Sequence, residues 1–150
     1  MRKKSLYETV DSIIKDVCSR GDSAVHEYSQ KFDQVDVQST KVAQSEIDKA
    51  LASFDEQTLK DSKFAIEQVR NFAQAQFDTM QSLDIETLDG VHLGRRIIPI
   101  DTVGCYVPGG RYPIYSAPIM SIVPAKVAGC KNIVACLPPR RMNRCMHYAI

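Results

Sequence analysis

The stretch from Val103 to Pro118, VGCYVPGGRYPIYSAP, collects the residues whose types and spacing could do chemistry. Gly109 and Gly110 follow an apolar strand pattern and precede a helical one, which is where a nucleotide loop sits. Such a loop needs backbone N–H groups aimed at phosphate and glycines that let the phosphate approach. Neither G-x-G-x-x-G nor G-x-x-x-x-G-K-[ST] is present, so the two glycines alone indicate a turn more than a phosphate cradle. Pro108 fixes one φ beside them. Tyr106 carries more information, because it falls at the carboxyl end of the strand, where open α/β sheets gather their ligands. There a tyrosine can stack on a planar ring and donate a hydrogen bond, or it can pack at the sheet edge, and the residues leave both readings open. Arg111 could pair with a phosphate or carboxylate, although a solvated guanidinium is the simpler reading.

Other chemistry-bearing residues are dispersed. His26, His92 and His147 have no Cys, Asp or Glu at a metal-ligand spacing, so a metal site within this chain alone is not expected. Cys18, Cys105, Cys130, Cys136 and Cys145 are odd in number and form no CxxC pair. With a basic but not apolar N-terminus, MRKKSLYETV, they read as reduced thiols of a cytoplasmic protein, several of them buried. The formal net charge of +1 gives no electrostatic case for nucleic acid or an anionic membrane, and no apolar run is long enough to span one.

The elements that must position Tyr106 and its neighbours follow from periodicity. The 150 residues divide into a helical segment, 1–82, and an α/β segment, 83–150. LYETVDSIIKDVCSRG places Leu6, Val10, Ile13, Ile14 and Val17 on one stripe and stops at Gly21. Asp22 is the expected cap of a second helix with Ala24, Val25, Tyr28 and Phe32 inward, so Arg-Gly-Asp here is a helix stop and a helix start. Ser45 and Asp55 are the expected caps of two more helices forming a hairpin. The second reaches about Met80, with Leu59, Phe64, Ile66, Val69, Phe72 and Phe77 as its apolar stripe. IETLDGVHLGRRIIPI reads as a β-hairpin turning at Asp89–Gly90, with His92 on its surface. VGCYV, then YSAPIMSIVPAKVAG with a kink at Pro124, then NIVACL ended by Pro138 and Pro139, is a strand–helix–strand unit of a parallel sheet. The predicted class is therefore α/β: a helical N-terminal segment followed by the start of a parallel-sheet domain, incomplete because two strands and one crossover cannot bury both faces. The last residues, RRMNRCMHYAI, read as a loop entering a helix, so the chain is expected to be the N-terminal piece of a larger enzyme.

VGCYVPGG, followed by SAPIMSIVPAKVAGCKNIVACLPP and preceded by SRGDSAVHEYSQKFD, closely resembles the N-terminal part of the histidinol dehydrogenase family, in order from about Leu6 to Pro139. The resemblance implies an NAD-linked, zinc-dependent homodimeric enzyme that oxidises L-histidinol to L-histidine by two hydride transfers, on a fold pairing two Rossmann-like domains. It implies that Tyr106 contacts NAD, with Pro108, Gly109 and Gly110 as neighbours. The family's zinc ligands, acid/base pair and substrate-binding residues lie beyond the matching segment, so the resemblance places no catalytic residue or zinc ligand in this chain and implies that it is inactive alone. Arg111 and Tyr112 stand where histidine-pathway members often carry smaller residues. In this the loop resembles relatives that oxidise other small hydroxylated substrates, such as a sulfonated diol. A third reading, a non-catalytic fragment that at most binds a nucleotide or a partner chain, is the alternative from another class.

Overall fold

The computed structural model describes residues 5–36, 39–109 and 114–139. Helix α1 (Leu6–Arg20) begins with a capping box: Ser5 Oγ accepts from the Glu8 N–H at 3.2 Å, and the Glu8 carboxylate accepts from the Ser5 N–H at 2.8 Å. It ends where Gly21 adopts φ +59° and donates its N–H to the Val17 carbonyl. That backbone disfavours any residue with a Cβ, so the glycine makes the sharp elbow into α2 (Asp22–Tyr28) possible. The boundary residue of α2 is Gly21, whose carbonyl accepts from Ala24 and Val25, and not Asp22 as expected. Asp22 sits inside the first turn, where its charge favours the helix dipole without capping it. A π-helical turn, Ser29–Asp33, extends α2. Ala24 is fully buried and Val25 and Tyr28 half-buried, but Phe32 is exposed and stacks on Tyr28.

An ion-pair network locks this elbow. Arg20 donates two hydrogen bonds to Asp16, at 2.7 and 2.6 Å, and a third to Glu27 at 2.8 Å. The Tyr28 hydroxyl donates to Asp16 at 2.9 Å. Of the expected stripe on α1, only Ile13 and Val17 are half-buried; Leu6, Val10 and Ile14 are exposed. The reason is that α1 packs on α2 and on no other described helix or strand.

Helix α3 (Gln44–Ala52) starts after Ala43, two residues earlier than a Ser45 cap would give. The Glu46 carboxylate accepts from the Ala43 N–H, leaving Ser45 inside the first turn. Asp55 caps α4 (Glu56–Asp78) as expected, accepting from the Thr58 N–H at 2.8 Å and the Thr58 hydroxyl at 2.6 Å. The expected α3–α4 hairpin is not formed: α4 packs along a later helix instead. The face it uses is Leu59, Ile66, Val69 and Phe77, all half-buried, whereas Phe64 and Phe72 point away and are exposed.

Strands β1 (Leu83–Leu88) and β2 (Val91–Arg95) pair antiparallel about Gly90, with a register shift between Glu86 and Leu88. His92 lies on the exposed surface of β2, its Nδ1 3.3 Å from Asp84 Oδ1. Strands β3 (Thr102–Tyr106) and β4 (Asn132–Cys136) pair in parallel, joined by α5 (Ser116–Val127). This is the strand–helix–strand unit expected from the sequence. Helix α5 lies between α4 on one side and the parallel strands on the other. It is accordingly apolar nearly all round, with Pro118, Ile119, Ile122 and Val123 buried and one charge, Lys126, in its last turn. Pro118 occupies the first turn, where its missing N–H costs nothing. The helix runs unbroken through Pro124, so the Met120 carbonyl lacks its usual donor four residues on.

The pH dependence of the elbow is fixed by Asp16, whose carboxyl is lowered from 3.8 to about 2 by its hydrogen bonds from Arg20 and then Tyr28. A carboxylate depressed in the folded state adds stability that is complete above its unfolded pKa, near ~3.9, and is lost as pH falls through the folded value. Asp16→Asn should therefore lower the urea midpoint at near-neutral pH, and its difference from the parent should shrink as pH falls below about 4 towards about 2. A pH-independent difference would show that the ionised carboxylate plays no part in the elbow.

Candidate functional site

The site is built at the carboxyl end of the parallel strands. Successive side chains of a strand point to opposite faces, and paired residues share a face. In β3 the face turned to α5 carries half-buried Val103 and buried Cys105, with buried Val107 just beyond the strand. The opposite face carries Gly104 and Tyr106, in register with Val134 and Cys136 of β4. All four are exposed, and a Cβ added to Gly104 would meet no atom within 4 Å. Tyr106 is 69% exposed, so its ring and hydroxyl are free of protein packing along most of their surface.

Beyond the strands the two chain segments stay together. The Val107 N–H donates to the Cys136 carbonyl at 2.8 Å, one residue past the end of β3. Pro108 and Gly109 then run beside Pro138 and Pro139, all four half-buried. Ile114 and Tyr115, 44% and 54% exposed, re-enter at the start of α5, where the Ile114 carbonyl accepts from the Ala117 N–H at 3.2 Å. Of the residues expected to meet a cofactor, Tyr106, Pro108 and Gly109 are thus brought to one end of the sheet. Gly110 lies outside the described residues, as do Arg111, Tyr112, Cys145, His147 and the RRMNRCMHYAI segment.

A planar nucleotide ring would find in Tyr106 an exposed aromatic face. Its side chain fits an NAD-like group in kind. Zinc is different. Among the described residues no three His, Cys, Asp or Glu side chains converge, so this part of the chain does not fit a zinc site. The described cysteines are free thiols: Cys105 buried, Cys130 half-buried, Cys18 and Cys136 exposed. The sequence reading missed the pairing of Cys136 with Tyr106 on one face, which only the register of β3 against β4 reveals.

Fold and site together define an α/β protein whose parallel strands, joined by a buried helix, present a conspicuous tyrosine at their carboxyl end. The sequence model of the family "Histidinol dehydrogenase" matches residues 1–150, and the chain belongs to that family. It is 44% identical over 135 residues to "Histidinol dehydrogenase homolog 1" of Mesorhizobium japonicum, covering 90% of this chain and 27% of that protein. To the sulfopropanediol 3-dehydrogenase of Ruegeria pomeroyi it is 43% identical, covering 90% of this chain and 31% of that protein. To the histidinol dehydrogenase of Methanococcus maripaludis it is 40% identical, covering 89% and 31%. The crystal structure of histidinol dehydrogenase from Elizabethkingia anophelis superposes with a TM-score of 0.82 at 31% identity, over 93% of this chain and 32% of that one. The chain thus spans under a third of the length of these relatives. Among the described residues no helix is long and apolar enough to cross a membrane.

The two faces make opposite predictions for adjacent residues. Val107, 2% exposed, should cost about 2 kcal/mol when replaced by alanine, through lost burial and the cavity left behind. Tyr106→Ala should change stability by less than about 0.5 kcal/mol, as an exposed substitution does. Urea unfolding of the two variants checks both, and a large loss in Tyr106→Ala would return that ring to a packing role.

Proposed function

We infer that this chain is the cofactor-binding part of an NAD-linked, zinc-dependent alcohol dehydrogenase of the histidinol dehydrogenase kind, serving histidine biosynthesis. The observation that carries the reading is the exposed Tyr106 at the carboxyl end of β3, inside the V-G-x-Y-V-P-G-G signature. Tyr106 stacks on a planar ring of NAD or donates its hydroxyl to it, while Pro108 and the backbone of Gly109 and Gly110 border the same cofactor. Bound NAD would accept the hydride from an alcohol carbon. Zinc and the residues that handle the substrate's proton are assigned to no described residue of this chain.

A second reading keeps the chemistry and changes the alcohol. Its support is the sulfopropanediol 3-dehydrogenase relative, as similar to this chain as relatives named for histidinol. On either reading the protein acts on a small-molecule alcohol as a cytoplasmic homodimer, without nucleic acid or membrane partners. The near-zero net charge is consistent with that.

Calorimetric titration with NAD⁺ tests the proposal. The chain should bind NAD⁺, and Tyr106→Ala should weaken binding by about tenfold, the size of an aromatic contact. Absence of binding to the parent chain would overturn it. With zinc present the chain alone should produce no NADH from L-histidinol or from 2,3-dihydroxypropane-1-sulfonate. Turnover of either would show that catalytic groups are contained here and would also decide between the two alcohols.

A further inference from the structure

Gly109 is a glycine for want of space, not for want of conformational freedom. Its φ lies outside the left-handed range, unlike those of Gly21, Gly90 and Gly129. A Cβ built on Gly109 would overlap Cγ of Pro138, lie 3.1 Å from its Cδ and 3.8 Å from its Cβ. The volume that a side chain would take is therefore filled by the pyrrolidine ring from the loop after β4. A proline ring cannot swing aside as a long side chain can, because its φ is fixed by ring closure. The segments that meet here are already tied by the Val107 N–H to the Cys136 carbonyl, and Val107 beneath them is buried.

We propose that Gly109 and Pro138 form a clamp that holds the loops following β3 and β4 together, and that Gly109 is thereby a positioning residue for the cofactor-binding end of the sheet. The clamp sets where Pro108 stands relative to Tyr106. Its role at the cofactor rests on the NAD reading above, whereas the clamp itself does not. The glycine that looks like a phosphate approach thus has its open side occupied by protein.

A rescue experiment separates the two. Gly109→Ala should speed hydrogen exchange of the Val107 amide by about tenfold or more and weaken NAD⁺ binding by about tenfold, the scale of modest overpacking. Gly109→Ala combined with Pro138→Ala removes the Cγ and Cδ that the new Cβ would strike, and should restore both. Unchanged Val107 exchange in Gly109→Ala, or a double variant no better than the single, would overturn the clamp. Weakened NAD⁺ binding that the double variant fails to recover would give Gly109 to the ligand instead. If the parent binds no NAD⁺, the function reading falls and exchange alone decides the clamp. If Gly109→Ala does not fold, a folded double variant supports the clamp and an unfolded one refutes it.

Discussion

The arrangement depends on one constraint: parallel strands cannot be joined by a tight turn, so the connection between β3 and β4 must cross over and be buried. Helix α5 meets that constraint by being apolar on both sides. It covers one face of the strands with Ile119, Ile122 and Val123, and its other side is covered by α4. Among the described elements, α5 is the packing partner of both α4 and the parallel strands. Lys126, its single charge, is tolerated because it stands in the last turn, where the backbone dipole favours a cation and the stem can reach water.

This layering sets which residues can act. Burial on the α5 side consumes Val103, Cys105 and Val107, leaving the alternate positions Gly104 and Tyr106 turned outward. The same alternation places Cys136 beside Tyr106. Past the strand ends, rigid prolines and a cramped glycine keep the two segments in contact, so the exposed ring stands on a supported edge. The elbow between α1 and α2 is held differently, by Arg20 bridging Asp16 and Glu27 on the protein surface. Hydrophobic burial organises the α4–α5–sheet layers, and charge-assisted hydrogen bonding organises the N-terminal pair.

Much of this was legible in the chain because it is local. Gly21, Asp55, the Asp89–Gly90 turn and the apolar runs of β3 and β4 act through near neighbours, and each is found where periodicity and turn chemistry put it. The misplaced features fail for a common reason. Asp22 and Ser45 are good caps by type, but cap choice depends on which residue first takes the boundary conformation, and Gly21 and Ala43 do so. Phe64 and Phe72 are apolar, yet the partner of α4 is α5 and not α3, which rotates the buried face away from them.

The sequence by itself determined the element order, the parallel strand–helix–strand unit, the family signature and the place of Tyr106 at a strand end. Those properties depend on residue type, spacing and the order of motifs, all of which are one-dimensional. Tertiary structure alone decided that Tyr106 faces outward with Cys136 beside it, that α4 covers α5, and that Gly109 is matched to the ring of Pro138. These are relations between residues about 30 or more positions apart, as Gly109 and Pro138 are. They are fixed by strand register and by which surfaces exclude one another's volume, quantities that local propensity does not carry.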